Sequence, residues 1–285
     1  MKVRIEKASQ LGFCFGVRRA LKILDKAAGE CGTIATLGTV VHNRDVVNNL
    51  ARQGIAVISD LEHFKGKTVA ISSHGVSPQL LSQIESCDFE VIDTTCPTVR
   101  SAQKAVKELV DTGFGVIIFG DAAHPEVKGL LGWAGDKAIA TLDGAELADA
   151  DLPKKLGILA QTTQGRLKFA EFVKTVINVT FPRVKEMRII NTLCDETQKR
   201  QEAAIELARK SDLMIVVGGR DSANTRRLAE ACSPLVETHF IEAAAEIRKG
   251  WLKGKKHIGV TAGTSTPDEA IEKVVARLKV LTGSS

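Results

Sequence analysis

One arrangement of residues recurs three times along the chain, and this repeat restricts the possible fold more than any other feature. Each copy opens with a cysteine (Cys14, Cys96 or Cys194), followed by a helical stretch whose apolar residues recur every three or four positions. A short apolar run then ends at a glycine, as in Ile34–Leu37, Val116–Phe119 and Leu213–Val217. The pattern predicts a helix and a strand at matching places in three copies of one unit.

The correspondence continues beyond each glycine, in two sets of polar loops. In the first set, the opening cysteine is followed after 28, 28 and 30 residues by His42, His124 and Asn224. The second set follows a further predicted strand in each unit, at residues 72–75, 161–163 and 264–266. The repeat therefore covers polar residues as well as the apolar framework.

A last strand in each unit leads into the next cysteine, as Phe89–Ile92 and Arg188–Ile190 do. The third unit ends without it, but Val3–Ile5 precedes Cys14 and would complete that unit. We therefore predict an α/β fold in which three pseudo-threefold-related units with parallel sheets form a trefoil-like ring. The predicted units are residues 15–96, residues 97–193, and residues 194–285 together with 1–14. The alternative is one large doubly wound sheet with coincidental spacing.

The three repeated cysteines are candidate metal ligands. Each follows a predicted strand and begins a helix, where the helix dipole stabilises the thiolate that binds metal. Because ligands bind beyond the carboxyl ends of parallel strands, we expect the cysteines and all six polar loops to face one central cavity. Three thiolates would repel one another unless a metal ion or an iron–sulfur cluster lay between them. Zinc would need a fourth ligand, whereas a cluster with three cysteines keeps one iron open.

Composition narrows the class of protein. The 285 residues include 39 basic and 34 acidic side chains, and the net charge of +5 is too small and dispersed to indicate nucleic-acid binding. No apolar run approaches the roughly 20 residues of a membrane span, and the start lacks the apolar core of a signal peptide. We therefore expect a cytoplasmic protein with reduced cysteines, in which Cys31, Cys87 and Cys232 are small core residues.

The polar loops contain groups that suit an anionic substrate. The three loop histidines, His42, His74 and His124, can donate hydrogen bonds to an anion, most strongly when protonated. Four further polar residues occupy matching loops, where helix capping or turn formation is the simpler alternative. These are Thr162, Ser222, Asn224 and Ser265.

Glu126 is a candidate proton donor. In the first set of loops, the residue two positions after His42, His124 or Asn224 is Arg44, Glu126 or Arg226, so only the second unit has an acid there. A carboxyl group beside a cluster and a bound anion would have its ionised form disfavoured. Such a group can donate a proton during a reaction.

Eight short motifs in this order resemble those of the hydroxymethylbutenyl diphosphate reductases, which catalyse the last step of the non-mevalonate isoprenoid pathway. They are Gly12-Phe-Cys-Phe-Gly16, Val40-Val-His-Asn43, Ser73-His-Gly75, Thr95-Cys-Pro97, His124-Pro-Glu126, Gln161-Thr-Thr163, Asp221-Ser-Ala-Asn224 and Thr261-Ala-Gly-Thr-Ser265. The resemblance runs from about residue 10 to residue 280 and includes all three repeated cysteines.

The resemblance implies a trefoil of three α/β domains around a 4Fe–4S cluster that is held by Cys14, Cys96 and Cys194 and keeps one iron open. The implied reaction removes the allylic hydroxyl of 4-hydroxy-3-methylbut-2-enyl diphosphate to give isopentenyl and dimethylallyl diphosphate, with electrons from a donor such as ferredoxin or flavodoxin. Glu126 matches the family's proton donor, working with Thr162. The residues implied to hold the substrate are His42, His74, His124, Thr162, Ser222, Asn224 and Ser265. One departure is Ala223, where some members have a serine whose hydroxyl is absent here.

Three alternatives remain open from the residues themselves. A quinolinate synthase-like dehydratase shares the three-unit, cluster-centred plan but acts on carboxylates rather than a diphosphate. A cluster-based redox sensor would not need a glutamate and three histidines facing an open iron. A zinc hydrolase would be colourless, so the colour of the purified protein excludes or supports it.

Overall fold

The structure is a computed structural model that describes residues 2–58, 60–62 and 64–284. Its strands are β1 (Arg4–Lys7), β2 (Ile34–Leu37), β3 (Ile55–Ile58), β4 (Thr68–Ile71), β5 (Glu90–Asp93), β6 (Gly115–Phe119), β7 (Ala138–Thr141), β8 (Lys155–Ala160), β9 (Glu186–Ile189), β10 (Leu213–Val217), β11 (Thr238–Ile241) and β12 (His257–Ala262). Its α-helices are α1 (Phe15–Cys31), α2 (Arg44–Arg52), α3 (Pro78–Ser86), α4 (Pro97–Asp111), α5 (Pro125–Ala134), α6 (Arg166–Thr180), α7 (Asp195–Ala208), α8 (Ala223–Cys232) and α9 (Asp268–Thr282). Short 3₁₀ turns lie at Gly135–Lys137, Gly144–Leu147, Ala244–Glu246 and Lys249–Leu252.

The strands of the described residues form three four-stranded parallel sheets that share one strand order. The orders are β3-β2-β4-β5, β7-β6-β8-β9 and β11-β10-β12-β1. The N-terminal strand β1 takes the place that β5 and β9 have in the other sheets, and it pairs with β12 from Arg4 opposite His257 to Lys7 opposite Val260. The predicted α/β class with parallel sheets is confirmed, and the single large sheet is wrong.

The chain forms two compact units. The first comprises Met1–Arg18, Val41–Asn49 and Asp195–Ser285, and it contains the sheet of β1, β10, β11 and β12. The second comprises Arg19–Val40 and Leu50–Cys194, and it contains the other two sheets. The boundaries of the three smaller units, after residues 96 and 193, stay a prediction.

Strand β10 illustrates why the central strands are continuous apolar runs. Ile215 and Val217 belong to one buried apolar cluster with residues of α9, whereas Met214 and Val216 belong to another with residues of α7 and α8. Successive side chains point to opposite faces of a sheet, so helices on both faces require an apolar residue at every position. Each such buried side chain contributes about 1.5–3 kcal/mol to folding.

The cysteines outside the repeat differ in burial. Cys232 is fully buried, and this burial raises the pKa of its thiol to about 11, so it stays protonated and apolar. Cys31 is half-buried. The prediction that Cys87 is a core residue is wrong, because this cysteine caps the end of α3 and is exposed where the chain turns through Asp88 at φ +58°.

Within the described part of the chain, no helix combines the length and the apolar character that crossing a bilayer requires.

Candidate functional site

Each repeated cysteine lies at the carboxyl edge of a sheet, tied to a polar loop by the same backbone hydrogen bond. The Cys14 amide donates to the carbonyl of Thr264 (3.1 Å), that of Cys96 to Ser73 (3.0 Å), and that of Cys194 to Thr162 (2.8 Å). The accepting loops follow β12, β4 and β8, whose neighbours β1, β5 and β9 lead into the cysteines. The strand order therefore explains why the second set of polar loops belongs with the cysteines.

The repeated cysteines also lie at helix starts, as the sequence predicts. Cys14 directly precedes α1, and its Sγ accepts the amide N–H of Val17 at 3.4 Å. Cys96 is the N-cap of α4, and Cys194 directly precedes α7. All three are half-buried. The positive end of a helix dipole and its free N–H groups suit a negatively charged sulfur ligand.

Glu126 and Thr162 form a buried pair in the second unit. Glu126, in the first turn of α5, is only 2% exposed. Its Oε1 accepts the backbone N–H of Thr162 at 2.6 Å, and its Oε2 accepts the Thr162 hydroxyl at 3.0 Å. A hydroxyl can donate or accept, so the same arrangement holds the carboxyl group whether it is ionised or protonated.

His124 caps the helix that carries Glu126. Its Nδ1 accepts the backbone N–H of Glu126 at 3.2 Å, which places the proton of the neutral imidazole on Nε2. Its ring meets that of His74 edge to face, with centroids 5.4 Å apart. Two side chains fix the loop of His74, because the carbonyl of Val76 accepts N–H groups from Gln103 (3.3 Å) and Trp133 (3.0 Å).

Asn224, in the first unit, has a buried side-chain amide whose hydrogen bonds are not satisfied. It lies in the first turn of α8 and is 4% exposed, yet neither its amide nitrogen nor its amide oxygen has a hydrogen-bond partner among the described residues. Leaving a buried polar group unpaired costs about 1–3 kcal/mol. A bound ligand would satisfy these two atoms, so Asn224 is a candidate ligand-binding residue.

Ser222 and Ser265 have local partners in the same unit. Ser222 is the N-cap of α8, as the simpler interpretation of this residue predicts, and its Oγ accepts the backbone N–H and the hydroxyl of Thr225 at 3.3 and 2.9 Å. The Ser265 hydroxyl donates to the carbonyl of His42 at 3.4 Å. Capping therefore uses the lone pairs of Ser222 and leaves its hydroxyl proton for another acceptor.

The imidazole of His42 is shifted towards its neutral form by burial. Burial lowers the pKa of its imidazole below the ordinary value, and the nearby Asp221 carboxylate opposes this effect without cancelling it. The lowered pKa favours the neutral imidazole of His42 before an anion binds. Gly219 is required beside it, because a Cβ there would lie 2.2 Å from the carbonyl oxygen of His42.

The predicted site residues fall into two groups, one in each compact unit. The second unit contains Cys96, Cys194, His74, His124, Glu126 and Thr162. The first unit contains Cys14, His42, Ser222, Asn224 and Ser265. Their assembly around one cavity stays a prediction.

Arg200 is a polar residue that the sequence analysis missed. It is buried on α7, in the first unit. Its spacing from Ala204 and Leu207, at i, i+4 and i+7, places it on the apolar face of that helix and was the signal available in the sequence.

Comparison with known proteins relates nearly the whole chain to one family. Residues 5–279 match the model of the family described as LytB protein. The chain is 48% identical over 284 residues to the 4-hydroxy-3-methylbut-2-enyl diphosphate reductase of Dehalococcoides mccartyi strain CBDB1, covering 99% of this chain and 100% of that protein. It is 44% identical over 277 residues to the reductase of the same name from Pelobacter propionicus, covering 97% of this chain and 98% of that protein.

Two solved structures are similar over most of the chain. One is an (E)-4-hydroxy-3-methyl-but-2-enyl diphosphate reductase described as the terminal enzyme of the non-mevalonate pathway, with a TM-score of 0.71 and 39% identity over 98% of this chain and 99% of that one. The other is the E-1-hydroxy-2-methyl-but-2-enyl-4-diphosphate reductase from Plasmodium falciparum, with a TM-score of 0.91 and 26% identity over 98% of this chain and 89% of that one.

Proposed function

The chain belongs to the LytB protein family, and from this membership we propose that it reduces 4-hydroxy-3-methylbut-2-enyl diphosphate, the substrate in the names of its relatives. The reaction breaks the allylic C–O bond and consumes two electrons and two protons. One proton leaves with the hydroxyl group as water, and the other adds to the carbon skeleton to give isopentenyl or dimethylallyl diphosphate.

We propose that Cys14, Cys96 and Cys194 hold a 4Fe–4S cluster. The three residues fit such a group because they are half-buried cysteines at helix starts, at equivalent places in three sheets. When bound, the cluster supplies electrons and one open iron that acts as a Lewis acid. A one-electron carrier such as ferredoxin or flavodoxin would deliver the electrons, because no side chain of the protein can supply them.

The observation that carries the proposal is the bonding of Thr162. Its N–H and hydroxyl both donate to the buried carboxylate of Glu126, while its carbonyl accepts the amide of Cys194, a proposed cluster ligand. One residue thus connects the candidate proton donor to a candidate ligand. Protonated Glu126 would donate through the Thr162 hydroxyl, which passes on its own proton as it accepts another.

We propose that the diphosphate is held by polar residues of the loops. These are His42, His74, His124, Ser222, Asn224 and Ser265, with Thr162 contacting the substrate nearer the reacting group. His124 supports this role because its Nδ1 is occupied by the helix cap, which directs the Nε2 proton to another acceptor. Asn224 supports it because a bound anion would satisfy its buried amide.

Anaerobic purification followed by iron and sulfide analysis tests the function directly. We expect about four irons and four sulfides per chain, and consumption of 4-hydroxy-3-methylbut-2-enyl diphosphate with reduced methyl viologen as electron source. Protein without iron, or protein with iron that leaves this substrate unchanged, would contradict the proposal. The carboxylate-specific dehydratase and the redox sensor are not favoured, because the relatives are named as reductases of this diphosphate.

Replacing Asn224 with leucine is expected to weaken substrate binding while stabilising the ligand-free protein. Loss of hydrogen bonds to a charged group removes about 1.5–3 kcal/mol, which raises KM by about ten- to a hundredfold. Burying a leucine instead of an unpaired amide raises the melting temperature of the apo protein by about 2–4 °C for each kcal/mol. Steady-state kinetics and thermal unfolding measure the two effects, with the exposed Asn49→Leu as control. A destabilised variant with an unchanged KM would contradict this role.

Diphosphate binding is expected to take up protons near neutral pH, partly at His42. Burial keeps this imidazole neutral in the free protein, and a bound anion provides the opposite charge that raises its pKa. Calorimetric titration with inorganic diphosphate, in buffers of different ionisation enthalpy, measures the uptake. His42→Asn should reduce the number of protons taken up per diphosphate. Equal uptake by the variant and the wild type would exclude His42 as a proton acceptor.

A further inference from the structure

Arg200 is a buried cation that the proposed reaction leaves without a role. Its side chain is 3% exposed, in the second turn of α7. Arginine is rarely buried so completely unless its charge is paired, because removing an ion from water costs several kcal/mol even after relaxation. The buried charge of Arg200 therefore carries a substantial desolvation penalty.

The partners of Arg200 compensate its charge only in part. Its Nη1 donates to the carbonyl of Glu196 at 3.2 Å and lies 3.6 Å from the carboxylate of the same residue. That carboxylate side chain is 41% exposed, so water screens it. The Nε of Arg200 has no hydrogen-bond partner among the described residues. The buried guanidinium of Arg200 therefore has one partly exposed carboxylate, that of Glu196, within ion-pair distance among the described residues.

The Arg200 guanidinium also contacts the loop that carries Cys14. Arg200 Nη2 donates to the carbonyl oxygen of Gly12 at 2.9 Å, two residues before the cysteine. Gly12 adopts φ +78°, a backbone conformation that favours glycine, so another residue would strain the loop at this point. The same loop is tied at Cys14 to Thr264. The loop is therefore fixed by the backbone hydrogen bond of Cys14, and Arg200 contacts it from the buried side.

We infer that Arg200 is a positioning residue that makes the proposed cluster easier to reduce. This inference rests on the proposed function. Accepting one electron from the carrier would make the net charge of the cluster together with its three thiolate ligands more negative by one, and no bond would break. A buried positive charge close to one ligand loop stabilises the reduced state more than the oxidised state, and net charge is one of the determinants of cluster potential.

The test compares the midpoint potential of the cluster in four holoproteins, measured by anaerobic redox titration with electron paramagnetic resonance of the reduced state. Arg200→Gln removes the charge and leaves a polar amide in its place, so the cluster potential is expected to shift to more negative values. Arg200→Lys keeps the charge and is expected to stay close to wild type. Lys199→Gln removes the same charge from the exposed neighbour on α7, where water screens it, and is expected to change little.

A second variant keeps the inference testable if Arg200→Gln does not fold. Glu196→Gln removes the partially exposed carboxylate and leaves Arg200 less compensated, so it is expected to shift the potential to more positive values. Unchanged potentials in Arg200→Gln and Glu196→Gln would overturn the inference, as would equal shifts in Arg200→Gln and Lys199→Gln. Wild-type protein without a cluster would instead overturn the proposed function, so the two failures are distinguishable.

Discussion

Replacing Cys96 with serine is expected to abolish cluster binding and reductase turnover together. The thiolate is the ligand that iron–sulfur clusters require, and an alcohol at a helix start is a much poorer ligand for iron. Iron content should fall far below about four per chain, and turnover with reduced methyl viologen should fall at least a hundredfold. Iron analysis, visible absorption and substrate consumption measure the effect on one preparation.

Cys87→Ser provides the matched control for Cys96→Ser. Cys87 lies in the same compact unit but is exposed at the end of α3, so its replacement should leave iron content and turnover unchanged. Equal iron in the Cys96→Ser protein and the wild type would refute the assignment of Cys96 as a ligand. Equal losses in both serine variants would indicate a general effect of removing thiols.

Replacing Glu126 with glutamine is expected to lower kcat by about 10²- to 10⁴-fold, the range typical of a lost general acid. The amide keeps the shape of the carboxyl group, and its oxygen can still accept the N–H of Thr162. Its nitrogen can donate to the Thr162 hydroxyl, so the fold and the cluster should be retained. Only the transferable proton is lost. Single-turnover kinetics on the fully loaded variant separate this step from substrate binding.

Three further variants complete the test of Glu126. Thr162→Ser keeps the hydroxyl and should retain most activity, whereas Thr162→Val removes the hydroxyl and should approach the loss seen in Glu126→Gln. Glu108→Gln changes an exposed glutamate in the same unit and should leave kcat unchanged. Near-normal turnover in Glu126→Gln would exclude this residue as the proton donor.

Much of the framework could be predicted from the sequence because it depends on local spacing. Ile34–Leu37 and Leu213–Val217 are strands within the predicted bounds, since a strand covered on both faces must be apolar at each position. The cysteines at helix starts follow from the helical periodicity after them. The strand Val3–Ile5 was predicted from repeat position alone, and the structure has β1 at Arg4–Lys7, paired with β12.

The contacts between the proposed catalytic residues join positions that are distant in the sequence. Thr162 reaches Glu126 across 36 positions because β8, which precedes Thr162, pairs with β6, which leads to the loop before Glu126. No spacing rule predicts that both groups of Thr162 donate to one carboxylate. The prediction that Cys87 is buried is wrong for a related reason. Whether a residue after a helix is buried depends on where the chain turns.

The threefold repeat, the α/β class and the position of the three cysteines follow from the order of residues, because periodicity and motif spacing are short-range properties of the chain. Three features became visible only in the folded chain: Glu126 is buried against Thr162, the Asn224 amide is buried without a hydrogen-bond partner among the described residues, and Arg200 contacts the Cys14 loop. Desolvation and hydrogen-bond satisfaction depend on every group packed around a side chain, and those groups come together only when the sheets are formed.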